Sequence, residues 1–189
     1  LLVYRYEKLY LEKNLDTLIS EQESRAYYDA HKKNYRSQSS LVKARFIKIN
    51  TTSPQCRVVK LLYKSLKMED LDRVSEVAGE SADKYSDFNM EWTPLSIIAR
   101  ELGEELSFCE RILKDQSYIE MEKGNFTYLV KVYDMVKAGE ITPYDYNLNL
   151  VKESILSKRK QELISDLEQN LLEEALNNNK LVIYSTNND

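Results

Sequence analysis

Apolar residues at the start of the chain recur at the three- and four-residue spacing of an α-helix. They are Val3, Tyr6, Tyr10 and Leu11. Further on, Ser20 stands three residues before Glu23, the spacing at which a hydroxyl and a carboxylate cap the first turn of a helix. The pattern therefore predicts one helix over residues 1–14 and a second helix over residues 21–35.

The stretch VKARFIKIN, residues 42–50, alternates as a β-strand does, but the alternation slips after Phe46. Val42, Ala44 and Phe46 occupy alternate positions and therefore share one face of the strand, whereas the next two apolar residues lie on the opposite face. They are Ile47 and Ile49. Successive side chains of a strand point to opposite faces of a sheet. The sequence thus predicts a strand with apolar groups on both faces, each of which something must cover.

The middle of the chain continues with helical and extended stretches. Ser53 before Pro54 is a favourable helix start, and the apolar face that follows it continues helically through residues 68–81. This face begins with Val58, Val59, Leu61 and Leu62. The residues FNMEWTP, 88–94, are predicted to be short and extended, and PLSIIARELGEELSF, 94–108, to be helical.

Residues 116–136 contain the clearest pair of strands in the sequence. The first strand alternates from Tyr118 to Glu122, and KGN, residues 123–125, is a turn of the type that closes hairpins. The second strand places four apolar residues on one face. They are Phe126, Tyr128, Val130 and Val132.

The last part of the chain predicts one long helix over residues 144–177, because Pro143 is tolerated at its start and nothing later breaks it. Its apolar stripe consists of Leu148, Val151, Ile155, Leu163, Leu167, Leu171 and Ala175. Such a helix is roughly 50 Å long at 1.5 Å per residue, so it must pack on another part of the chain. KLVIYST, residues 180–186, is predicted to be a short strand or an extended tail.

The order of these elements predicts an α+β fold with an inserted domain. The helices at the two ends cannot bury their stripes alone, whereas the middle block has its own sheet. We therefore assign residues 1–40 and 137–189 to a helical module and residues 41–136 to a small α/β domain inserted into it. Two lobes of this kind would leave a groove between them.

Charge and composition exclude some classes of function. The chain has 189 residues and a formal net charge of −4, whereas nucleic-acid-binding surfaces are usually basic. No apolar run approaches the roughly 18 residues of a transmembrane helix, so none is expected. The chain begins without Met and inside a helical pattern, so a removed leader or linker is expected before Leu1.

The cysteines and the single histidine give no sign of a metal site. Cys56 and Cys109 lie far apart in sequence without a second ligand nearby, so two buried free thiols are favoured over a disulfide. His31 lies in a polar helical stretch and is predicted to be a solvated residue rather than a catalytic one. No nucleophile elbow, metal cluster or phosphate loop supports a hydrolase, and no cofactor is predicted.

Three stretches of the chain resemble the SurA and PrsA class of extracytoplasmic folding factors. SEQESRAYYDAHKKNY, residues 20–35, is similar to the helix that precedes the first parvulin strand, and VKARFIKI, residues 42–49, is similar to that strand. NFTYLVKVYDMVKAGEITPYDYNLNLVKESILSKRKQEL, residues 125–163, resembles the last parvulin strand and the helix that follows it, with its pair Arg159 and Lys160. The resemblance covers most of the chain.

This resemblance implies a helical chaperone module around an inserted parvulin-like prolyl isomerase domain. It also implies that the first parvulin strand is central, with helices on one face of the sheet and the catalytic cleft on the other. Active members carry histidine where Phe46 and Tyr128 stand here. The glycine-rich stretch of the family is missing from DFNMEWTP, and neither Phe108 nor Cys109 is matched to a cleft residue.

The resulting hypothesis is a periplasmic or envelope-associated chaperone that binds unfolded or extended polypeptide and carries a degenerate, non-catalytic isomerase domain. Without both imidazoles the polar network around the twisting amide loses its centre, and only Tyr128 restores a hydroxyl. The predicted peptide-binding residues are Phe46, Trp92, Phe108, Tyr128, Tyr27, Tyr28, Tyr144 and Tyr146. The last four stand at the joins between helical ends and insert, where they either line the groove or pack the interface.

Two alternatives remain at this stage. The first is an active peptidyl-prolyl isomerase with a divergent site, in which Tyr128→Phe lowers the activity. The second is a helical adaptor or scaffold protein, in which the stripe from Leu148 to Ala175 is partly exposed and the chain forms a homodimer through it.

Overall fold

The computed structural model of the chain describes residues 2–178. The chain folds into α-helices and one β-sheet, an α+β arrangement with a long helix near its end. It divides into two compact units: a helical unit, made of Leu1–His31 and Asn147–Asp189, and a sheet unit, Lys32–Tyr146. The strand or tail predicted over residues 180–186 lies outside the described residues.

The helices and strands have these bounds in chain order: α1 Leu2–Asn14, α2 Glu21–His31, β1 Leu41–Asn50, α3 Cys56–Leu62, α4 Met68–Ser81, β2 Lys84–Pro94, α5 Leu95–Leu102, α6 Leu106–Leu113, β3 Tyr118–Lys123, β4 Phe126–Val136 and α7 Tyr144–Asn177. A 3₁₀ turn, Lys32–Asn34, follows α2. The bounds of α1, β1 and α7 agree with the predicted ones to within one residue at each end.

The sheet unit contains four antiparallel strands in the order β2-β1-β4-β3. β1 is therefore an interior strand, paired with β2 on one side and with β4 on the other. β3 and β4 form the predicted hairpin, and Gly124 in its turn has a φ of 60°, a left-handed conformation that glycine adopts without strain.

The slip of apolar parity in β1 corresponds to helices on both sides of the sheet. Phe46 packs on one face with α5 and α6, and Ile47 packs on the other face with α3 and α4. The two side chains are 1% and 0% exposed, and burying a side chain of this size stabilises a fold by about 1.5–3 kcal/mol. The resemblance implied helices on one face only, so this arrangement differs from the expectation.

β2 leaves its regular register beside the first residues of β1. Ala44 pairs with Phe88, but Val42 pairs with Thr93, so residues 89–92 form a wide bulge. The extended stretch predicted over 88–94 is thus the irregular end of a longer strand. Its first residues, KYSD, carry no alternating apolar pattern, which is why the sequence did not predict them as strand.

β4 has a smaller irregularity at the same level of the sheet. Val132 lies opposite Ala44 and Asp134 lies opposite Lys43, which leaves Tyr133 as an extra residue. A bulge of this kind bends a strand and increases its twist.

In the helical unit, one arginine of α7 holds the start of α2. The N–H of Glu23 donates to Ser20 Oγ at 3.1 Å, which is half of the predicted capping box. The Glu23 carboxylate accepts from Nη2 of Arg159 at 2.7 and 2.8 Å. Nη1 of Arg159 donates to the carbonyls of Asp16 and Leu18 at 2.7 and 2.9 Å. Arg159 therefore fixes the connection between α1 and α2 as well as the first turn of α2.

The helical unit buries few apolar side chains. Its buried hydrophobic residues within the range 2–178 are Val151, Ile155 and Leu167, all on α7. The predicted stripe of α7 becomes exposed toward its end, where Leu171 is 45% exposed.

Residues 94–108, predicted as a single helix, form two helices because Gly103 ends α5. Its φ of 66° is left-handed, and its N–H donates to the carbonyls of Ala99 and Arg100, a common way to terminate a helix. A Cβ at this position would also lie 3.1 Å from Lys123 Nζ. The predicted α2 likewise ends early, at His31, before the 3₁₀ turn.

Cys56 and Cys109 are free and buried, which confirms the prediction of two buried thiols. They belong to the cores on opposite faces of the sheet. Burial raises the pKa of Cys109 to about 11, with smaller contributions from the negative charges of Glu104 and Glu110, so this thiol stays protonated near neutral pH. Among the helices of residues 2–178, none combines the length and apolar character needed to span a membrane.

Candidate polypeptide-binding site

Phe46 and Tyr128 lie next to each other on the sheet face that α5 and α6 cover. Their ring centroids are 6.4 Å apart, with the rings inclined at 60°. Phe46 is 1% exposed and Tyr128 is 9% exposed, so in this conformation the pair belongs to a packed core. A peptide would reach Phe46 only if α5 or α6 moved away. That these two residues contact a peptide therefore stays a prediction.

The ammonium group of Lys48 covers one end of the sheet face that carries Phe46 and Tyr128. Lys48 Nζ lies 4.3 Å from the ring centroid of Phe126 and 5.7 Å from that of Tyr128. A cation over an aromatic face stabilises a surface site by about 0.5–1 kcal/mol. Phe46 offers no polar atom and Tyr128 offers one hydroxyl, so the chemistry of two imidazoles is absent at these positions.

Trp92 lies in the wide bulge of β2 and forms a small cluster with two charged residues. Its Nε1–H donates to Asp145 Oδ2 at 3.2 Å, and Lys43 Nζ donates to the same oxygen at 3.1 Å. Lys43 Nζ also lies 5.0 Å from the Trp92 ring centroid. The sequence indicated Trp92 but neither of its partners, because the contacts arise from the bulge.

The carboxyl group of Asp145 is held in its ionised form. Partial burial opposes ionisation, but the hydrogen bond and positive charge of Lys43, with the Trp92 N–H, outweigh it and lower the pKa of Asp145. The cluster is therefore a polar clamp that positions an indole ring.

The other predicted aromatic residues are divided between the two units. In the sheet unit, Phe108 packs against the α5/α6 core with the Arg111 guanidinium 5.6 Å from its ring centroid. Tyr144 is half-buried and Tyr146 is 45% exposed. Tyr27 and Tyr28 lie in α2 of the helical unit. That they line one groove together with the aromatic residues of the sheet unit stays a prediction.

His31 is engaged within α2. Its ring stacks on that of Tyr27, with centroids 4.2 Å apart and planes at 23°, and its Nδ1 lies 2.8 Å from the Tyr27 carbonyl oxygen. The residue is exposed, which agrees with the prediction of a solvated helix residue. In the described part of the chain, no three His, Cys, Asp or Glu side chains come together as metal ligands.

The helical unit exposes large apolar side chains that the sequence pattern did not distinguish from buried ones. Among the residues of this unit whose burial the structure describes, nine are more than a third exposed: Val3, Tyr4, Tyr6, Leu9, Leu18, Leu150, Leu171, Leu172 and Leu176. In α1, Val3 is 70% exposed and Tyr6 is 53% exposed, although both belong to the predicted apolar stripe. The one signal in the sequence is that apolar residues occupy more than one face of α1.

Charged residues of both signs lie between the exposed apolar residues of α1. Lys8 Nζ and Glu12 Oε1, for example, are 3.9 Å apart, and both side chains are more than half exposed. Exposed pairs of this kind contribute only about 0.2–1 kcal/mol. This face of the unit therefore presents scattered apolar and aromatic groups in a surface of mixed charge.

No protein-family model matches the chain, and no curated protein matches it. A solved structure is similar, from work on the virulence factor PEB4 and the periplasmic protein Cj1289, two structurally related SurA-like chaperones of Campylobacter jejuni. The identity is 18%, the match covers 97% of this chain and 70% of that chain, and the TM-score is 0.38.

Proposed function

We propose that the chain is a folding factor that binds unfolded polypeptide through the exposed apolar side chains of its helical unit. The observation that supports this most directly is α1, where a run of large apolar side chains is uncovered. Tyr4, Tyr6 and Leu9 are 71%, 53% and 57% exposed, beside Val3 at 70%.

Unfolded polypeptides expose the side chains that such a surface can cover. Removing apolar surface from water contributes about 25 cal/mol per Å², so a few contacts with Tyr4, Tyr6 and Leu9 give weak and reversible binding. Tyr adds a large contact area with few rotatable bonds. The mixed charges of α1 favour no particular client charge, which suits a factor with many clients.

For the sheet unit, we propose a parvulin-like domain that does not isomerise prolyl bonds. The barrier to rotation about a peptide bond is about 18–20 kcal/mol, and lowering it requires a site that binds the twisted amide better than the planar one. Phe46 and Tyr128 stand where the resemblance places imidazoles, and α5 and α6 pack over them. Location in the periplasm or at the cell envelope belongs to the same proposal and follows from the resemblance of the sequence alone.

A paired assay tests both parts of the proposal. The chain is added to a chemically denatured client protein on dilution, and light scattering reports aggregation. The same preparation is tested for acceleration of cis–trans isomerisation in a proline tetrapeptide. We expect suppressed aggregation without accelerated isomerisation. Absence of suppression at a several-fold excess of the chain would overturn the chaperone proposal.

A matched pair of triple variants assigns the activity to the helical unit. The first is Tyr4→Gln with Tyr6→Gln and Leu9→Gln, in which glutamine keeps helix propensity while removing apolar surface. Its control replaces with glutamine three apolar side chains of the sheet unit that are at least as exposed. They are Leu61, Leu66 and Met68, which are 73%, 71% and 71% exposed. We expect the first variant to lose most of the suppression and the control to keep it.

An adaptor role is a second candidate, supported by the end of α7. Leu171, Leu172 and Leu176 are 45%, 46% and 36% exposed there, and an exposed apolar stripe on a helix is a surface for a partner helix. A dimer in light scattering that is abolished by Leu171→Gln with Leu172→Gln, in a chain without effect on client aggregation, would favour this role over the chaperone.

A further inference from the structure

The sheet unit contains a buried lysine without an acidic partner. Lys131 of β4 is 8% exposed, and in the described part of the chain no ion pair is found for its ammonium group. Within the same residues its Nζ makes a single hydrogen bond, which it donates to Ser117 Oγ at 2.7 Å. An ammonium group has three N–H donors, and burying a charge without a counter-charge is costly. The environment of Lys131 therefore favours the neutral amine.

On the β1 side of Lys131, the facing group is a second cation. Arg45 lies directly opposite Lys131 in the pairing of β1 with β4. The carboxylate on this side, Asp87, is engaged by Arg45, whose Nη2 donates to Asp87 Oδ2 at 2.7 Å. Tyr133, two residues farther along β4, has a pKa that burial raises, so its hydroxyl is uncharged near neutral pH. None of these groups forms an ion pair with Lys131.

On the β3 side of Lys131, the carboxylate is likewise engaged elsewhere. Tyr118 lies opposite Lys131 in the pairing of β3 with β4, and Lys64 Nζ lies 3.9 Å from the Tyr118 ring centroid. Glu120, two residues farther along β3, has its Oε2 3.3 Å from Lys64 Nζ. Because burial of Lys131 is not offset by a counter-charge, its pKa is lowered from 10.5. At mildly alkaline pH, a larger fraction of Lys131 than of an exposed lysine is therefore a neutral amine.

Ser117, the acceptor of this bond, lies just before β3 and borders an open cavity. The residue is exposed, and the cavity, of about 410 Å³, is lined by residues 113–117 and 132–135. The Val132 N–H donates to the Ser117 carbonyl at 2.8 Å, which fixes the backbone at this point. For the Ser117 N–H, no acceptor is found in the described part of the chain. A hydroxyl bonded to an amine and an available backbone N–H thus belong to the same residue of the cavity wall.

We propose that Ser117 and Lys131 form an acyl-transfer site, in which Ser117 Oγ is the nucleophile, Lys131 Nζ is the general base, and a small ester in the cavity is the substrate. A serine activated by a lysine is one of the arrangements that perform acyl transfer on unrelated folds. The pair is not a sequence motif, because the two residues lie 14 positions apart and meet only through the pairing of β3 with β4. This site lies in the sheet unit, goes beyond the proposed function, and does not depend on it.

The chemical step moves one proton to Lys131 and then away from it. The neutral amine takes the proton of the Ser117 hydroxyl while Oγ bonds to the carbonyl carbon of the ester. The ammonium group then gives this proton to the leaving oxygen as the bond from that oxygen to the carbonyl carbon breaks. An acyl group on Ser117 and an alcohol result, and water activated by the same amine releases the acyl group as a carboxylic acid. The Ser117 N–H is the donor available to the carbonyl oxygen as it gains negative charge.

The charges of the cavity favour a neutral or cationic acyl group. Its lining includes the carboxylates of Asp115 and Asp134 and the ammonium group of Lys114, all three on exposed residues. The carboxylates outnumber the ammonium group, so a negatively charged acyl group is disfavoured. Leu113 and Met135, both half-buried, add apolar lining for a short acyl chain.

The experiment uses the full chain and 4-nitrophenyl acetate, a small neutral ester with a coloured leaving group. Release of nitrophenolate gives the overall rate, and mass spectrometry of peptides locates the acetyl group after a short reaction. We expect acetylation at Ser117 to be faster than at the other serines. Two longer esters test the charge of the cavity: 4-nitrophenyl heptanoate and the 4-nitrophenyl monoester of heptanedioic acid, which carries a terminal carboxylate. We expect the charged ester to acylate Ser117 more slowly.

Two variants and a control assign the roles of the pair. Ser117→Ala removes the nucleophile and should abolish acetylation of the peptide that contains this position. Lys131→Met replaces the buried amine with an apolar side chain of similar length and should slow acetylation of Ser117 by about 100-fold, the lower end of what a general base contributes. Ser107→Ala removes another exposed serine of the sheet unit and should leave the rate at Ser117 unchanged. Circular dichroism checks that each variant folds.

The pH dependence of the unaltered chain keeps the proposal testable even if Lys131→Met does not fold. Acetylation of Ser117 should accelerate with rising pH and level off through an apparent pKa below 10.5, because only the neutral amine accepts the proton. Acetylation of Ser107 in the same samples is the reference for an exposed serine without a lysine base.

Three outcomes would overturn the proposal. One is an acetyl group on Lys131 or on surface amines with none on Ser117. Another is equal acetylation of Ser117 in Lys131→Met and in the unaltered chain, which would reduce the bond between the two residues to a structural contact. The third is the same pH profile at Ser117 and Ser107, which would show that the Ser117 hydroxyl is not activated.

Discussion

The helical unit and the sheet unit differ in how they treat apolar side chains. The sheet unit buries large residues such as Phe46 and Ile47 on both faces of one strand. The helical unit buries few apolar side chains, has a set of polar contacts around Arg159, and leaves apolar residues of α1 in solvent. The difference indicates that apolar burial stabilises mainly the sheet unit, whereas the helical unit leaves part of its apolar surface uncovered.

The largest expected effect tests this contrast with one truncation in each unit. Phe46→Ala should lower the free energy of unfolding by about 3–5 kcal/mol, because the cavity adds to the lost burial. Tyr6→Ala removes a similar ring that is 53% exposed and should change it by no more than about 0.5 kcal/mol. Urea denaturation of both variants measures the difference. Similar losses of unfolding free energy in the two variants would contradict the proposed difference between the two units.

A smaller effect is expected at Arg159, whose side chain is 23% exposed. Arg159→Lys keeps the charge but cannot make the same set of bonds to Glu23 and two carbonyls, so it should cost about 1–2 kcal/mol locally. Hydrogen exchange of amides in residues 16–24 should accelerate. Lys160→Ala, at an exposed neighbouring position, is the control. Unaltered exchange in Arg159→Lys would show that apolar packing alone holds α2.

The smallest effect concerns Asp145 in the sheet unit. Its pKa is lowered from 3.8, so its ionised form stabilises the fold above that pH, and the contribution is lost as the pH falls through the lower folded value. Trp92 is the single Trp of the chain, so its fluorescence should change below pH 3.8 as the clamp opens. Asp145→Asn should remove this step, while circular dichroism separates it from unfolding. A step unaffected by Asp145→Asn would assign it to another group.

The sequence predicted the elements whose pattern is local. The parity slip between Phe46 and Ile47 predicted a strand covered on both faces, and the uninterrupted stripe predicted α7. The break at Gly103 was missed, although glycine is a common helix terminator, because apolar residues continue at helical spacing on both sides of it.

The candidate surfaces were harder to predict because they depend on what the fold leaves uncovered. Periodicity shows that Val3 and Tyr6 can share a face, but it does not show whether anything packs on that face. The sequence identified Trp92 by its residue type, whereas its contacts with Lys43 and Asp145 could be recognised only from the bulge in β2.

The bond from Arg159 to the carbonyl of Asp16 joins residues 143 positions apart. On a ribosome, α1 and α2 are therefore made long before the residue that fastens them, and the whole sheet unit is translated in between. At typical elongation rates this interval is on the order of ten seconds. During that interval the newly made helices α1 and α2 lack the contacts with Arg159 that fix the connection between them.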